Sequence, residues 1–196
     1  MAVLVGKEAP DFNEAAAVGQ ASQQITLSQY KGKQYVVLFF YPLDFTFVCP
    51  TEMHAFQESL KEFESRNAVV LGCSVDSKHS HMAWLRTPQN DGGIQGVTYP
   101  IIADIKKNVS RAYDVLDEAA GITYRATFII DKNGVVQAQV VHHRPIGRSV
   151  DEVIRLLDAL QYSEEHGEVC PANWHKGDKA MKESREGVTG YMSGKK

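Results

Sequence analysis

The stretch Tyr41-Pro42-Leu43-Asp44-Phe45-Thr46-Phe47-Val48-Cys49-Pro50-Thr51-Glu52 joins two segments of different periodicity. Before it, Tyr35 to Phe40 is an unbroken apolar run of strand-forming residues, as expected of a buried parallel strand. After it, Met53, Phe56, Leu60 and Phe63 recur at helical spacing, with charged residues between them. Cys49 therefore stands where a buried strand hands over to an amphipathic helix. Pro50 suits a first helical position, because its missing N–H would have had no partner there. That end of a helix gathers unpaired N–H groups and the positive end of the dipole, and both favour a thiolate over a thiol. A buried structural cysteine is the commoner role of a free Cys. It accounts for neither the two prolines nor the Thr46 hydroxyl three residues upstream.

Outward from this point the chain alternates. Ala68 to Val75 reads as a second buried strand, with Cys73 in its middle as an inert apolar filler. Ser77 to Arg86 reads as a helix that Thr87-Pro88 ends. Asn90 to Gly96 is a glycine-rich loop without the order of a phosphate cradle. Tyr99 to Ala103 is a short strand and Asn108 to Val115 a short helix. Thr123 to Ile130 forms a strand that Asn133-Gly134 turns into Val135 to Val141. On that strand Thr123, Arg125 and Thr127 share one face. Ser149 and Glu152 open a last long helix whose stripe Val153, Leu156, Leu157 and Leu160 faces the core. The N-terminal segment to Gln34 holds short strands and turns, with Ile25 and Leu27 on a half-buried strand at most. The tail after His166 carries Cys170 and shows no sustained apolar stripe. Strands alternating with helices and closing in a hairpin and a helix predict an α/β protein with a mixed central sheet flanked by helices.

Composition narrows the function. At 196 residues the chain suits one domain with a full core, and 43% hydrophobic with 23% charged residues is a soluble globular balance. A formal charge of -3 offers no footprint for nucleic acid or an anionic membrane, and no apolar run approaches the roughly 20 residues of a membrane span. The first residues lack a signal peptide's basic and apolar regions, so a cytoplasmic setting is expected. Three cysteines without a CxxC pair fit reduced thiols used as chemistry.

A free cysteine of pKa about 8.5 is roughly 3% thiolate at neutral pH, so full ionisation gains only about thirtyfold. A fast thiol nucleophile also needs the charge that builds in its transition state to be stabilised. Arg125, always charged and with a forked guanidinium, is a candidate for that role, and an exposed surface arginine on a strand, which is frequent, is the alternative.

Pro42, Thr46 and Cys49 in the pattern Pro-x-x-x-Thr-x-x-Cys, with Phe47-Val48-Cys49-Pro50-Thr51-Glu52, resemble the peroxidatic motif of the peroxiredoxins. Glu168-Val169-Cys170-Pro171-Ala172-Asn173-Trp174 is similar to the resolving segment of the typical two-cysteine, alkyl hydroperoxide reductase C-like subclass. The likeness runs from about Val5 to Trp174. It implies a thioredoxin-like fold with an N-terminal extension and insertions, a peroxidase domain over residues 1–165, and a tail over 166–196 carrying the resolving cysteine. It implies reduction of hydrogen peroxide and organic hydroperoxides through a Cys49 sulfenic acid, with Cys170 of a partner subunit condensing on it. Arg125 in Tyr124-Arg125-Ala126-Thr127-Phe128 matches the family's active-site arginine, Thr46 would bind the peroxide through its hydroxyl, and Pro42 would shield the pocket. Glu52 resembles the glutamate that orients that arginine, and Arg148 a second arginine of the network. A thioredoxin-like or flavoprotein disulfide reductase, homodimers and a ring of five dimers are further implications, with no cofactor or metal. In members that overoxidise readily, a Gly-Gly-Leu-Gly loop and a terminal Tyr-Phe clasp the site. Here Gln95 and Met192 replace residues of those motifs and glycines weaken the tail helix, so a looser clasp is expected.

Rival readings are a cysteine hydrolase using one of seven histidines, a metal site from His54, His79 and His81, a disulfide oxidoreductase and a non-enzymatic scaffold. The first has no signature residues, the third lacks CxxC, and the histidines read better as solvated.

Overall fold

Tyr35–Phe40 forms a strand with every residue buried. The computed structural model describes residues 2–194. Its strands are β1 (Asn13–Val18), β2 (Ala21–Thr26), β3 (Tyr35–Phe40), β4 (Ala68–Ser74), β5 (Ile101–Ala103), β6 (Leu116–Asp117), β7 (Ile122–Thr123), β8 (Arg125–Ile130) and β9 (Val136–His142). Its helices are α1 (Cys49–Glu58), α2 (Leu60–Ser65), α3 (Lys78–Arg86), α4 (Asn108–Ala112), α5 (Val150–His166) and α6 (Arg185–Ser193). Two units separate by contact, Met1–Val150 and Asp151–Lys196.

In the first unit seven strands form one sheet in the order β2-β1-β5-β4-β3-β8-β9. β3, β4 and β5 run parallel, β8 and β9 are antiparallel neighbours beyond β3, and the β1–β2 hairpin extends the far end through β5. This is the mixed sheet expected, in thioredoxin-like arrangement with an N-terminal extension. Alternation along β3 sends Val36, Leu38 and Phe40 into a cluster with Leu71, Cys73, Ile102, Ala126 and Phe128. Phe39 points to the opposite face and stacks on Phe56 of α1, with ring centroids 4.2 Å apart. Arg125 and Thr127 alternate with Ala126 and Phe128 on β8, so Arg125 projects on the α1 face. That parity decides where its charge goes.

Four elements depart from the reading above. The helix after Cys49 breaks at Ser59, whose N–H is shared between the Ala55 and Gln57 carbonyls, and Phe63 stays buried on the second segment. β1 is a full strand although Asn13-Glu14-Ala15-Ala16-Ala17 favours no sheet. Pairing on both sides overrides propensity there, and only small side chains fit at fully buried Ala16 and Ala17. Ile25 is buried on the otherwise largely exposed β2, as a half-buried strand requires, but Leu27, also buried, has already left the strand for a 3-10 turn. Tyr124 separates β7 from β8 where one strand was expected.

The second unit is more ordered than its composition suggests. Val153 and Leu157 of α5 are buried while Leu156 and Leu160 are half-buried. Val169 pairs with Met181, and the Trp174 indole donates to the Asp178 carbonyl at 3.1 Å. α6 forms despite its glycines. Ser184 caps it by accepting from the Gly187 N–H, and a side chain at Gly187 would strike the Lys182 carbonyl. That glycine serves a close backbone approach.

Candidate active site

Cys49 is the first residue of α1 and has no exposed surface. Val48 precedes it without a side-chain cap, so Thr51 and Glu52 turn their N–H groups back to the Val48 carbonyl at 3.1 and 3.3 Å. The loop that delivers Cys49 takes a left-handed backbone at Phe45, φ 52°, uncommon for a bulky residue. Two bonds hold this turn. The Asp44 N–H donates to Asp76 Oδ2 at 3.0 Å, and the Thr46 hydroxyl donates to the Leu43 carbonyl at 2.8 Å. Thr46 has thereby spent its proton and offers lone pairs to anything nearby. Pro42 is buried at the start of the loop.

Arg125, 4% exposed, reaches Cys49 Sγ with Nη1 at 3.3 Å. The same nitrogen meets Glu52 Oε2 at 2.7 Å, and Nε donates to the Arg144 carbonyl at 2.6 Å. Arg148 grips the other side of Glu52, from Nη2 to Oε2 at 2.7 Å and from Nε to Oε1 at 3.0 Å. Its Nη1 donates to the Phe40 and Ala126 carbonyls, the ends of β3 and β8, and its guanidinium lies 4.9 Å from the Phe39 ring centre. Burial pulls the Arg148 pKa below the usual arginine value while Glu52 opposes the shift, and arginine remains a cation. Two guanidiniums and one carboxylate leave the cluster one charge positive, and a thiolate at Cys49 makes it neutral. The structure thus brings Cys49, Glu52, Arg125 and Arg148 together, and the exposed-arginine alternative falls.

Cys170 belongs to the second unit, partly exposed, with Sγ 3.6 Å from the Ala159 carbonyl. Burial raises its thiol pKa, Arg155 works against that, and Glu168 adds to it. Cys73 is fully buried, and burial first and Asp104 second push its thiol well up, in keeping with a filler.

Residues 5–139 match the AhpC/TSA family, and residues 159–194 the C-terminal domain of 1-Cys peroxiredoxin. The chain belongs to the peroxiredoxin family. Peroxiredoxin tpx1 of Schizosaccharomyces pombe is 54% identical over 177 residues, covering 90% of this chain and 92% of that protein. Thioredoxin peroxidase of Echinococcus granulosus is 49% identical over 193 residues, 98% of this chain and 100% of that one. The reduced 2-Cys peroxiredoxin of Plasmodium vivax superposes with a TM-score of 0.95 at 49% identity, covering 98% of this chain and all of its own. With the family comes the reaction class: this peroxiredoxin is a thiol-dependent peroxidase. Among the described residues no helix is long and apolar enough to cross a membrane.

Three features of this peroxiredoxin escaped the sequence. The Arg144 carbonyl that orients Arg125 is main chain and leaves no residue signal. His81, taken as solvated, has no exposed surface. Its Nδ1 lies 2.8 Å from Asp44 Oδ2 and its Nε2 3.2 Å from the Ile102 carbonyl, while Tyr41 and Ser80 hydroxyls also donate to Asp44. Its place beside Trp84, on the buried face of α3, was the available signal. His54, the third, bonds the Gly93 carbonyl at 3.1 Å.

Proposed function

We propose that the protein reduces hydrogen peroxide and organic hydroperoxides to water or alcohol through Cys49. The Cys49 thiolate attacks the terminal peroxide oxygen, a sulfur–oxygen bond forms, and the oxygen–oxygen bond breaks. The departing oxygen takes up a proton as water or alcohol, and the sulfur, oxidised by two electrons, becomes a sulfenic acid. Arg125 faces both sulfur and the departing charge, and Glu52 with Arg148 fixes its direction. Thr46 accepts the hydrogen bond of the peroxide, and Pro42 keeps water from the sulfur. The observation that carries this reading is the 3.3 Å approach of Arg125 Nη1 to Cys49 Sγ with Glu52 holding the same nitrogen.

Cys170, from the tail 166–196 of a partner subunit, then condenses with the sulfenic acid, giving a disulfide and water. A thioredoxin-like protein or a flavoprotein disulfide reductase restores both thiols. The peroxidase domain over residues 1–165 works in homodimers joined as a ring of five, in a cytoplasmic setting suited to three reduced cysteines. Peroxide consumption by the purified protein with a thioredoxin system tests this. Cys49→Ser should abolish turnover and Cys73→Ser leave it nearly intact; equal losses would mean the nucleophile is misassigned.

A further inference from the structure

Arg125 is aimed by bonds from two directions. Glu52 holds Nη1 at 2.7 Å, and the Arg144 carbonyl holds Nε at 2.6 Å. Glu52 is fixed in its turn by Arg148, which also grips the ends of β3 and β8. The Arg144 carbonyl has no such buried support, because it stands on an exposed loop. β9 ends at His142, and His143, Pro145, Ile146 and Gly147 are all exposed. The Ile146 N–H donates to the His143 carbonyl at 3.0 Å, and His142 Nδ1 lies 3.2 Å from the Gly147 carbonyl. Both contacts close residues 142–147 on themselves.

The Arg144 side chain ties this loop to a fixed point. Its Nη2 lies 3.2 Å from Asp117 Oδ2, and its guanidinium carbon lies 5.9 Å from the centre of the Tyr124 ring. Tyr124 is the residue before Arg125, and its ring also lies 6.2 Å from that of His143. Asp117 is a firm anchor. It ends β6, paired with Ile122 of β7, and its carbonyl accepts from the Gly121 N–H at 2.7 Å. Its Oδ1 accepts from the Ala119 and Ala120 N–H groups, each at 3.1 Å. One carboxylate oxygen is thus locked into the hairpin turn while the other meets Arg144. Arg144 is 32% and Asp117 18% exposed, and an ion pair at such a place adds little to global stability. A contact that is weak for folding can still decide where a reacting group points, and there a small misplacement is costly.

We propose that Arg144 and Asp117 are positioning residues for the peroxide step: their ion pair, with the Tyr124 ring against the guanidinium, holds the loop 143–147 so that the Arg144 carbonyl keeps Arg125 turned toward Cys49. The inference deepens the reading of Cys49 and Arg125 given above. Without that carbonyl, Arg125 keeps its charge and its bond to Glu52 but can turn about the Glu52 contact. Charge growing on the departing oxygen then meets a donor that is out of place. The thiolate itself needs only a nearby cation and persists. Alkylation of Cys49 by iodoacetamide, which forms a sulfur–carbon bond and expels iodide, needs the thiolate alone.

Arg144→Leu and Asp117→Asn cut the pair from opposite ends, and Asp117→Asn leaves an oxygen for the hairpin turn. Arg144→Lys keeps the charge. Stopped-flow rates of the reduced proteins with hydrogen peroxide from pH 6 to 9 are compared with iodoacetamide alkylation, read at Cys49 by mass spectrometry. Loss of one ion pair and one cation–ring contact predicts about three- to tenfold slower reaction with peroxide at every pH in Arg144→Leu, with Asp117→Asn slowed in the same direction. Alkylation should stay within twofold of wild type, and Arg144→Lys should recover most of the loss. In an Arg125→Ala background, adding Arg144→Leu should change nothing further, because the residue it positions is gone. Peroxide rates within twofold of wild type in both Arg144→Leu and Asp117→Asn overturn the proposal. So does an equal fall in alkylation, which would mean general damage around Cys49, and so does a full further loss in the Arg125→Ala background. An Arg125→Ala protein that itself reacts at the wild-type rate would sink the reading of Arg125, and the tether with it.

Discussion

Arg148 holds both carboxylate oxygens of Glu52, and its backbone N–H also donates to Oε1 at 3.0 Å. Their side chains are 2% and 3% exposed, so neither charge is solvated if the other is lost. The pair does two jobs. It pins the first turn of α1 to the ends of β3 and β8, and it aims Arg125 at Cys49. Glu52→Gln keeps the shape and leaves two buried guanidiniums facing each other. We expect a loss of about 3–5 kcal/mol in urea unfolding, together with a lower rate of peroxide attack.

Arg125→Ala should slow the second-order reaction with peroxide by about a hundredfold or more, the scale for removing one preorganised donor. Arg125→Lys should recover little, because an ammonium cannot span the sulfur, Glu52 and the Arg144 carbonyl at once. Stopped-flow rates across pH separate two roles for Arg125. Full recovery of Arg125→Ala in alkali would reduce it to a device for ionising Cys49.

The fold was legible where periodicity and burial agree. β3 is apolar throughout because both its faces are covered, and the hairpin after β8 closes where Gly134 takes a left-handed backbone, φ 82°, and Asp131 accepts from the Asn133 and Val135 N–H groups. β1 was illegible because its alanines carry no strand signal and only sheet neighbours on both sides make it a strand. In the site, Cys49 could be read from residue type and helix position, whereas Glu52 and the choice of Arg125 over an exposed arginine came with the family motifs. The Arg144 carbonyl could not, and neither could His54 or His81, since a histidine reads alike whether it faces water or a carbonyl until its neighbours are placed.

Asp44 and His81 meet in a buried contact, Nδ1 to Oδ2 at 2.8 Å, that anchors the loop carrying Thr46 and Cys49. His81 Nε2 also reaches the Ile102 carbonyl at 3.2 Å. His81→Leu removes a buried hydrogen-bond partner of Asp44, and a loss of about 1–3 kcal/mol is expected. Adding Asp44→Asn asks how far the two side chains depend on each other. The double mutant should be more stable than the sum of the two single losses predicts, by 1 kcal/mol or more in a thermodynamic cycle. Strict additivity would show that the two side chains do not act together.

The pH dependence of disulfide formation should belong to Cys170. Its folded pKa is raised, by burial first, with Arg155 lowering it and Glu168 raising it further. The attacking species is the thiolate, so the single-turnover rate should climb about tenfold per pH unit through neutrality and level off only above the ordinary thiol range. Arg155→Ala removes the lowering charge and should move that plateau higher; Glu168→Gln should move it lower. The linkage has the matching sign. The folded chain holds the Cys170 proton more tightly than the unfolded chain. This stabilisation is complete below the unfolded thiol's pKa and is lost as pH rises through the folded one. Rapid-quench measurements of the covalent dimer from pH 6 to 10 provide the check. A plateau below the ordinary thiol range would mean that Arg155 outweighs burial at Cys170, and a pH-independent rate would mean that helix opening rather than thiolate attack limits the step.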